Sequence, residues 1–362
     1  MKFKTLKGKI IFILIMILTA FMSVILNFSF VKAENYDNSS AEIVMDVKSG
    51  RVLYSKNENV KKFMASTTKI LTAIVIIDTC NLDDKIEITE KTVGVEGSSI
   101  YLEKGEILSV KDLLYGLMLR SGNDCAETLA LYKSGSIENF ALLMNKKAEE
   151  IGAKNSHFMN PHGLHNDEHY TTAYDLALIS AYALKNPVFK EIVSTKKTTI
   201  PFTTRNTKRV LINKNKMLFE FDGATGVKTG FTKKAGRCLV SSCDRNGLEL
   251  VSVVLNCPPM FERSKELLTN AFNKYSPVLL VKSDNIIDFI RGENSERKCP
   301  IYIKNDVILT LSDYEKENVE IEYELPTFLN SPVIKDTEIG KIKILVKNNL
   351  IYTEKLYTMI DI

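Results

Sequence analysis

The sequence predicts an α+β protein: an antiparallel sheet flanked by helices, with a helical lobe beside the sheet and a small all-β domain after it. Two observations carry this prediction. Across residues 34–276, β-type runs stand at both ends and helical patterns fill the middle, so early and late strands are expected to pair in one sheet. After about Pro277, only short β-type runs separated by turn signals follow. A chain of 362 residues is long enough to bury both cores.

The first predicted domain, residues 34–276, begins with a hairpin, because alternating runs from Ala41 to Tyr54 flank Lys48-Ser49-Gly50. Apolar residues at helical spacing predict helices at about Ser66–Thr79, Val110–Leu119, Ile137–Ile151, Thr172–Leu184 and Met260–Tyr275. Strands are predicted at about Gly226–Thr232, Gly236–Cys243 and Leu248–Asn256. Asn246-Gly247 between the last two is a strong hairpin signal.

The second predicted domain, residues 277–362, is the small all-β domain. Asn305-Asp306 and Asn348-Asn349 supply turns within it. Its β-type runs are Ile286–Ile290, Ile301–Lys304, Val307–Leu311, Val319–Tyr323, Lys341–Val346 and Leu350–Thr353. We interpret this domain as a spacer that lifts the first domain above a membrane, with a docking module for partners or cell wall as the alternative.

Residues 1–33 have the pattern of an export signal. Met1–Lys9 is short and basic, Ile10–Leu26 is almost uniformly apolar, and Val31-Lys32-Ala33 has the small-residue spacing of a signal-peptidase site. The apolar stretch is longer than usual, so an uncleaved membrane anchor is the alternative. Either way the remaining chain is expected outside the cytoplasm, at the outer face of the membrane, in the cell-wall space or secreted.

The chain after residue 33 is nearly neutral. Residues 1–33 contain five lysines and no acid, so their removal turns the formal net charge from +4 to −1. A chain of this charge is not expected to bind nucleic acid by bulk electrostatics. Six cysteines in an exported chain raise the question of disulfides, but Cys238 and Cys243 share one predicted strand at an odd spacing. Cys80 and Cys125 lie in apolar helical contexts, and we expect no required disulfide.

The first of three short motifs is Ser66-Thr67-Thr68-Lys69, at the start of a predicted helix. Residues three apart share a helix face, so the Lys69 amine can reach the Ser66 hydroxyl. A base at that distance activates serine as a nucleophile, and a helix N-terminus can stabilise an oxyanion. Alone, this pattern is more often a serine N-cap followed by a solvated lysine.

The second motif, Ser121-Gly122-Asn123, follows a predicted helix, and the third, Lys228-Thr229-Gly230, lies inside a predicted strand. A glycine in a strand permits close approach of a ligand, and the adjacent lysine and threonine offer a cation and a hydroxyl to a carboxylate. Separately they are typical of a helix-end turn and an edge-strand lysine. Together and in this order, the three motifs form the signature of penicillin-binding proteins and class A β-lactamases.

With these motifs, the sequence resembles the low-molecular-mass penicillin-binding proteins that are D-alanyl-D-alanine carboxypeptidases. The resemblance covers roughly residues 35–275 and extends to Met64–Lys69, Arg120–Asp124, Asn160–Leu164, Thr172–Leu176 and Gly226–Arg237. It implies a penicillin-binding/β-lactamase-like fold and a serine-type peptidase without metal or cofactor. Residues 277–362 resemble the family's C-terminal domain with less specific sequence.

The resemblance also implies the substrate and the catalytic roles. Ser66 would attack the carbonyl between the two terminal D-alanines of a peptidoglycan stem peptide, with neutral Lys69 as the base. Burial and the nearby cation of Lys228 would both lower the pKa of Lys69. Ser121 would relay a proton to the departing D-alanine. Penicillin and other β-lactams would mimic the dipeptide and acylate Ser66.

Substrate binding is implied for the remaining motif residues. Asn123 would hold the substrate amide, while Lys228 and Thr229 would bind the terminal carboxylate. Gly230 would allow the substrate to approach. The backbone N–H groups of Ser66 and of Phe231, just beyond Gly230, would bind the oxyanion.

One departure from the family concerns the carboxylate site. Related carboxypeptidases often have an arginine just before the phenylalanine that corresponds to Phe261, and here that position is Met260. Two alternatives are open: Arg263, about one helical turn on, substitutes for it, or Lys228 and Thr229 bind the carboxylate alone.

A second departure concerns membrane anchoring. Family members commonly end in an amphipathic helix on the membrane, whereas Met359–Ile362 directly follow the last β-type run. We therefore expect membrane contact only through residues 1–33, if these are not removed.

Three alternative functions are weighed against this hypothesis. A class A β-lactamase would need a Glu-x-x-Leu-Asn element, which is missing between Asn123 and Lys228. A non-enzymatic penicillin sensor would not need every motif residue intact. A zinc hydrolase could use four histidines within thirteen residues, but Pro161 and Gly163 interrupt any helix that would align them. These histidines are His157, His162, His165 and His169.

Overall fold

The computed structural model describes residues 40–283, 285–293, 296–330 and 332–361, so the predicted export signal lies outside the described residues. The α-helices are α1 (Lys69–Thr79), α2 (Val110–Arg120), α3 (Asn123–Ser134), α4 (Ile137–Ile151), α5 (Ala173–Leu184), α6 (Pro187–Ser194), α7 (Met217–Glu220), α8 (Met260–Lys274) and α9 (Asp313–Glu317). Short 3-10 turns occur at Ala65–Thr68, Glu90–Thr92 and Thr203–Arg205.

The strands up to α8 are β1 (Ala41–Asp46), β2 (Val52–Lys56), β3 (Lys85–Glu87), β4 (Ile107–Ser109), β5 (Lys197–Phe202), β6 (Thr207–Ile212), β7 (Ala224–Thr232), β8 (Gly236–Arg245) and β9 (Leu248–Leu255). Those after α8 are β10 (Tyr275–Val281), β11 (Asp288–Gly292), β12 (Lys298–Tyr302), β13 (Val307–Ser312), β14 (Val319–Glu324), β15 (Phe328–Leu329), β16 (Glu338–Val346) and β17 (Asn349–Thr358).

The main sheet has five antiparallel strands in the order β2-β1-β9-β8-β7. Ala41 lies opposite Leu255, so the first strand of the chain pairs with the last strand of this region and the predicted α+β class is confirmed. Strand β1 is buried throughout, and α5 and α8 both pack against β1 and β9. Strand β7 forms one edge of the sheet, and this edge faces the helical lobe.

The helical lobe surrounds α1, which is apolar and buried from Lys69 to Ile76 and contacts α2 to α6. Helix ends follow local chemistry: Ser109 and Asp112 form a capping box at the start of α2, and Gly152 ends α4 with a φ of 93°. The bounds of α4 match the prediction at both ends, because an apolar face and two strong caps coincide there.

The structure also contains elements that the sequence analysis did not predict: the antiparallel strand pair β3 and β4, the hairpin β5–β6, and the helices α3, α6 and α7. Strands β3 and β4 have only three residues each, too few for alternation to be visible. Strands β5 and β6 are largely exposed and polar, so they lack the buried face on which strand prediction depends.

The predicted helix Ser66–Thr79 is wrong at its start. The chain first makes the 3-10 turn Ala65–Thr68, and the α-helix begins at Lys69. Two threonine hydroxyls hold this turn, since Thr67 Oγ1 donates to the Met64 carbonyl at 2.7 Å and Thr68 Oγ1 donates to the Ala65 carbonyl at 2.8 Å. Such local side-chain bonds compete with α-helical geometry.

The C-terminal part is a small β domain, as predicted, with the short helix α9 as an unpredicted addition. Its larger sheet has the order β14-β16-β17-β12-β11-β15, and β10 pairs with β13. It has its own apolar core, which includes Ile301, Leu309 and Ile342. Helix α8 leads directly into β10, so the predicted domain boundary between residues 276 and 277 falls within a strand and stays a prediction.

Polar contacts join the two cores. The Arg51 guanidinium donates to the Glu315 carboxylate and to the Thr310 carbonyl, and the Thr310 hydroxyl donates to Asp46. All six cysteines are free thiols. Across residues 40–361, with the gaps given above, no helix combines the length and apolar character needed to cross a membrane.

Candidate active site

The three motifs meet where the 3-10 turn packs against the edge strand β7. Ser66 lies on this turn, after Ala65, which has the left-handed φ of 48° that is uncommon outside glycine. Gly230 of β7 comes so close that a β-carbon there would lie 3.1 Å from the Ser66 backbone nitrogen. The serine is thus held on a constrained turn whose backbone is open toward β7.

Lys69 joins two of the motifs through its amine. Its Nζ lies 3.2 Å from Ser66 Oγ, 2.7 Å from Asn123 Oδ1 and 2.6 Å from the His162 carbonyl oxygen. The side chain is fully buried. Burial, followed by the neighbouring charge of Lys228, lowers the pKa of Lys69 well below its usual value. Both effects favour the neutral form of the amine that contacts the serine hydroxyl.

Lys228 is the second buried amine, with 2% of its surface exposed, although β7 is an edge strand. Its Nζ donates to the Thr229 carbonyl at 2.9 Å. Burial lowers its pKa to about 7, with a further contribution from the charge of Lys214. A small change in its surroundings, such as a bound carboxylate, is enough to make this amine a full cation at neutral pH.

The turn between α2 and α3 carries Ser121 and Asn123. Ser121 ends α2 in the left-handed conformation, with a φ of 64°, and Asn123 begins α3. The Asn123 amide is fixed at both ends, because Oδ1 accepts from Lys69 and Nδ2 donates to the Glu96 carbonyl at 2.5 Å. Both residues are buried, and the bond to Lys69 sets this turn beside the serine.

Thr229 and Phe231 flank Gly230 on β7. Thr229 is partly buried, whereas the Phe231 side chain is 59% exposed. The guanidinium carbon of Arg237 lies 5.4 Å from the centre of the Phe231 ring. All eight residues singled out from the sequence thus lie on three adjoining segments: the 3-10 turn with the start of α1, the α2–α3 turn, and β7.

The loop 157–171 packs against the serine turn and stabilises it, a role that the sequence analysis did not assign. Met159 N–H donates to His169 Nδ1, so the ring proton of neutral His169 is on Nε2 and is donated to Thr68 Oγ1 at 2.8 Å. Thr68 in turn donates to the Ala65 carbonyl. Burial lowers the pKa of His169 to about 3, so this chain of bonds stays intact at neutral pH.

Gly163 in the same loop touches the turn directly. It has a φ of 87°, and a β-carbon there would lie 1.9 Å from the Ala65 carbonyl oxygen. Only glycine fits this contact. The sequence does contain a signal for this contact, because Asn160-Pro161-His162-Gly163-Leu164 resembles the family, but the resemblance by itself did not predict the role of Gly163.

Lys214 and Ser98 are two further polar residues near Lys228 that sequence reasoning missed. Lys214 Nζ donates to Ser98 Oγ at 3.2 Å, and the Ser98 carbonyl accepts from Asn123 N–H at 2.7 Å. Neither residue belongs to a short motif, so no signal in the sequence alone could have found them.

Arg263 does not lie at the site. Its guanidinium donates to Glu42 Oε2 at 2.8 Å and to Tyr54 Oη at 3.0 Å, on β1 and β2. Two strands, β8 and β9, separate β1 from β7, a distance of about 14 Å at the usual strand spacing. The alternative in which Arg263 replaces the arginine missing at Met260 is wrong for this structure.

The four histidines of the loop do not converge on a metal. His162 Nε2 lies 3.3 Å from Glu127 Oε1, His165 pairs with Asp167, and His157 Nδ1 contacts the Glu168 carbonyl. In the part of the chain that the structure describes, no group of three or more His, Cys, Asp or Glu side chains is placed to hold a metal ion.

The chain is similar to known D-alanyl-D-alanine carboxypeptidases in sequence and in structure. The family model for D-alanyl-D-alanine carboxypeptidase matches residues 30–258, and that for the C-terminal domain of penicillin-binding protein 5 matches residues 275–362. D-alanyl-D-alanine carboxypeptidase DacF of Bacillus subtilis is 31% identical over 328 residues, 87% of this chain and 83% of its own. DacC of Escherichia coli is 33% identical over 349 residues, 91% of this chain and 85% of its own.

Two solved structures resemble this chain over most of its length. The structure of penicillin binding protein 5 from Haemophilus influenzae has a TM-score of 0.79 at 29% identity and covers 89% of this chain and 96% of its own. That of the D-alanyl-D-alanine carboxypeptidase DacD from Francisella tularensis has a TM-score of 0.70 at 27% identity, with 91% and 95% covered. With the buried Lys69 amine against Ser66, and with family models that match residues 30–258 and 275–362, this chain belongs to the serine-type D-alanyl-D-alanine carboxypeptidase family.

Proposed function

We propose that this protein removes the terminal D-alanine from peptidoglycan stem pentapeptides through an acyl-Ser66 intermediate, and that β-lactams inhibit it by forming the same bond. The observation that carries the proposal is the 3.2 Å contact between Ser66 Oγ and the buried amine of Lys69. Serine needs an adjacent base to become a nucleophile, and a lysine can serve only when its pKa is lowered.

The surroundings of Lys69 leave its lone pair for the serine. A neutral amine has two N–H bonds, and Asn123 Oδ1 and the His162 carbonyl oxygen accept them at 2.7 and 2.6 Å. The third neighbour, the Ser66 hydroxyl, can then donate its proton to the lone pair. Ser66 Oγ forms a bond to the substrate carbonyl carbon as this proton moves to Lys69.

The oxyanion that forms is proposed to accept hydrogen bonds from the backbone N–H groups of Ser66 and Phe231. Support comes from Gly230, which leaves the space in front of Ser66 N–H open because it has no side chain. Backbone donors fixed before the reaction stabilise the transition state without reorganisation.

Departure of D-alanine requires a proton on its nitrogen. We assign this relay to Ser121, which passes the proton from Lys69 as the C–N bond breaks. Lys228 and Thr229 are assigned to the terminal carboxylate, since a buried amine with a pKa of about 7 gains a full charge beside an anion. Water then adds to the acyl carbon, the bond between this carbon and Ser66 Oγ breaks, and a proton from the water passes to Oγ, which restores the enzyme.

The predicted export signal supports a location outside the cytoplasm, in the cell-wall space, where the stem peptide is found. We propose residues 34–276 as the catalytic domain and residues 277–362 as a spacer. Contact with the membrane, on this proposal, runs through residues 1–33 if they stay attached.

Labelling with fluorescent penicillin, together with D-alanine release from a pentapeptide, tests the proposal. Wild-type protein is expected to be labelled near stoichiometrically and to release D-alanine, and Ser66→Ala should lose both activities. Ser194→Ala, a change on the surface helix α6, is the matched control and should retain both. Labelling that persists in Ser66→Ala refutes the acyl-Ser66 proposal. Rapid, repeated hydrolysis of a chromogenic cephalosporin would indicate a β-lactamase instead.

A further inference from the structure

A cavity of about 410 Å³ opens at the end of β7, beside the candidate active site. Lys61, Lys62 and Phe63 form one wall, Tyr170 another, and Lys234 closes it from the turn between β7 and β8. Phe63 precedes Ser66 by three residues, so their α-carbons are at most about 11 Å apart. The cavity therefore adjoins the reacting serine.

The lysines of this cavity are not balanced by acids. Among the described residues, no carboxylate lies within ion-pair distance, 4.0 Å, of Lys61, Lys62 or Lys234. Asp167 also lines the cavity, with its carboxylate 3.3 Å from His165 Nε2 and beyond ion-pair distance of the three amines, so one carboxylate stands against three ammonium groups. Lys61 instead lies 4.2 Å from the centre of the Tyr170 ring, a contact that holds the amine in place without neutralising it. We call Lys61, Lys62 and Lys234 the lysine cluster.

The bound substrate is expected to run along β7 toward this cluster. On the proposed function, the terminal carboxylate lies at Lys228 and Thr229 and the scissile carbonyl at Phe231 N–H. Moving along β7 from 228 to 231 thus follows the substrate from its C-terminus toward its upstream residues. The next residues of β7 run into the turn that carries Lys234.

The free edge of β7 suits an extended peptide. Within the main sheet β7 pairs with β8 on one side only, so its other edge has backbone groups available for a peptide strand. An extended peptide advances about 3.3 Å per residue, which sets the second residue upstream of the acyl D-alanine roughly 7–10 Å from the serine. This distance lies within the upper bound of about 11 Å between the α-carbons of Ser66 and Phe63, which lines the cavity.

We propose that the lysine cluster binds a free carboxylate on the stem peptide upstream of D-Ala-D-Ala, and so makes the enzyme prefer acidic stem peptides over amidated ones. This inference rests on the proposed function and adds a specificity site to it. Three ammonium groups without acid partners attract a carboxylate mainly by charge, and a carboxamide of the same shape lacks that attraction.

The test compares kcat/KM for two pentapeptides, L-Ala-γ-D-Glu-L-Lys-D-Ala-D-Ala and the same peptide with the glutamate α-carboxylate amidated. Wild-type enzyme is expected to prefer the free acid by about tenfold, the size of a few partly exposed charge pairs. It should lose part of this preference in about 0.5 M salt, because dissolved ions screen the attraction between exposed charges. In Lys61→Gln/Lys62→Gln/Lys234→Gln the ratio should fall to about 1. The two peptides differ in the charge of one carboxylate, and the variant has lost the three amines that attract it.

The matched control removes three exposed lysines far from the cavity, as Lys85→Gln/Lys208→Gln/Lys298→Gln, and should keep the wild-type ratio. Since each ratio is taken on one preparation, a partly folded variant does not alter it. A wild-type ratio near 1, or a cluster variant that keeps the preference, overturns this inference while D-alanine release still supports the proposed function. Absence of D-alanine release from both peptides would overturn the proposed function and the inference with it.

Discussion

Two lysines share one small site, and burial works against the charge of both. Burial and the charge of Lys228 lower the pKa of Lys69, while burial and the charge of Lys214 lower the pKa of Lys228 to about 7. The proposed mechanism needs Lys69 neutral and Lys228 charged. These opposite requirements are met in one pocket because the two amines have different neighbours: Asn123 and a carbonyl for one, and the approaching carboxylate for the other.

The pH dependence of kcat/KM should therefore have an alkaline limb near pH 7. A group with a pKa of about 7 loses its charge as the pH rises through that value, and kcat/KM reports the free enzyme. In Lys228→Arg, whose guanidinium stays protonated, this limb should vanish even if the overall rate is lower. Initial rates on one pentapeptide from pH 5 to 10 provide the measurement. If kcat/KM of Lys228→Arg falls at the same pH as that of the wild type, the titrating group is not Lys228.

Gly230→Ala should slow acylation. The new β-carbon would lie 3.0 Å from the Met64 carbonyl oxygen and 3.1 Å from the Ser66 nitrogen, where the oxyanion is proposed to accept its hydrogen bond. Loss of one oxyanion donor costs roughly 10²-fold or more in rate. Stopped-flow acylation by a fluorescent penicillin measures this step directly. An unchanged acylation rate would show that the oxyanion lies elsewhere.

At the scale of elements, several could be predicted from the sequence and others could not. The β1–β2 hairpin, α4 and the β8–β9 hairpin follow from strong local signals: alternation, caps and an Asn-Gly turn. The 3-10 turn at Ala65–Thr68 is held by local threonine bonds and also by contacts with the loop 157–171, and no local pattern contains those distant contacts. Ser66 and Lys69 form a local pattern and could be singled out. Lys214 could not, and the support that His169 gives to the serine turn could not be predicted, because both residues act through distant partners.

His169 is expected to be a positioning residue for the serine turn. His169→Phe removes the Nε2–H that is donated to Thr68, and kcat should fall about tenfold with little change in KM, since the loss of one buried hydrogen bond costs roughly 1–3 kcal/mol. His169→Gln keeps a donor at similar reach and should restore most of kcat.

Steady-state kinetics of both variants, with thermal unfolding as a check on folding, carry out this test. Because the pKa of wild-type His169 is about 3, its protonation should not affect kcat between pH 5 and 7. Equal kcat in His169→Phe and wild type would contradict a positioning role.

For the molecule as a whole, the active site lowers stability. The pKa of Lys228 is about 7 in the folded protein and 10.5 when it is exposed, so the unfolded chain binds more protons between those values. Stability should then rise with pH from about 7 to 10.5, and the destabilisation is complete below pH 7. The residue that recognises the substrate thus acts against folding under the conditions where it is charged.

Lys228→Met should raise the free energy of unfolding at pH 7 by roughly 1–4 kcal/mol, because a buried amine is replaced by an apolar chain of similar volume. The gain should shrink as the pH approaches 10.5. Urea unfolding at pH 7 and pH 10 measures it, with the exposed Lys208→Met as the control that should show no such gain. A loss of stability in Lys228→Met at pH 7 would mean that its bond to Thr229 outweighs the cost of burial.

The open edge of β7 has a consequence for solubility. Unpaired strand edges invite association between protein molecules, and extended sheets commonly protect them with charge, bulges or covering segments. Here the 3-10 turn and α6 pack against β7, and Gly226 has Val193 at close range. These neighbours cover part of the edge of β7, so the segments that are proposed to flank a bound peptide are also expected to hinder pairing of β7 with a second protein molecule.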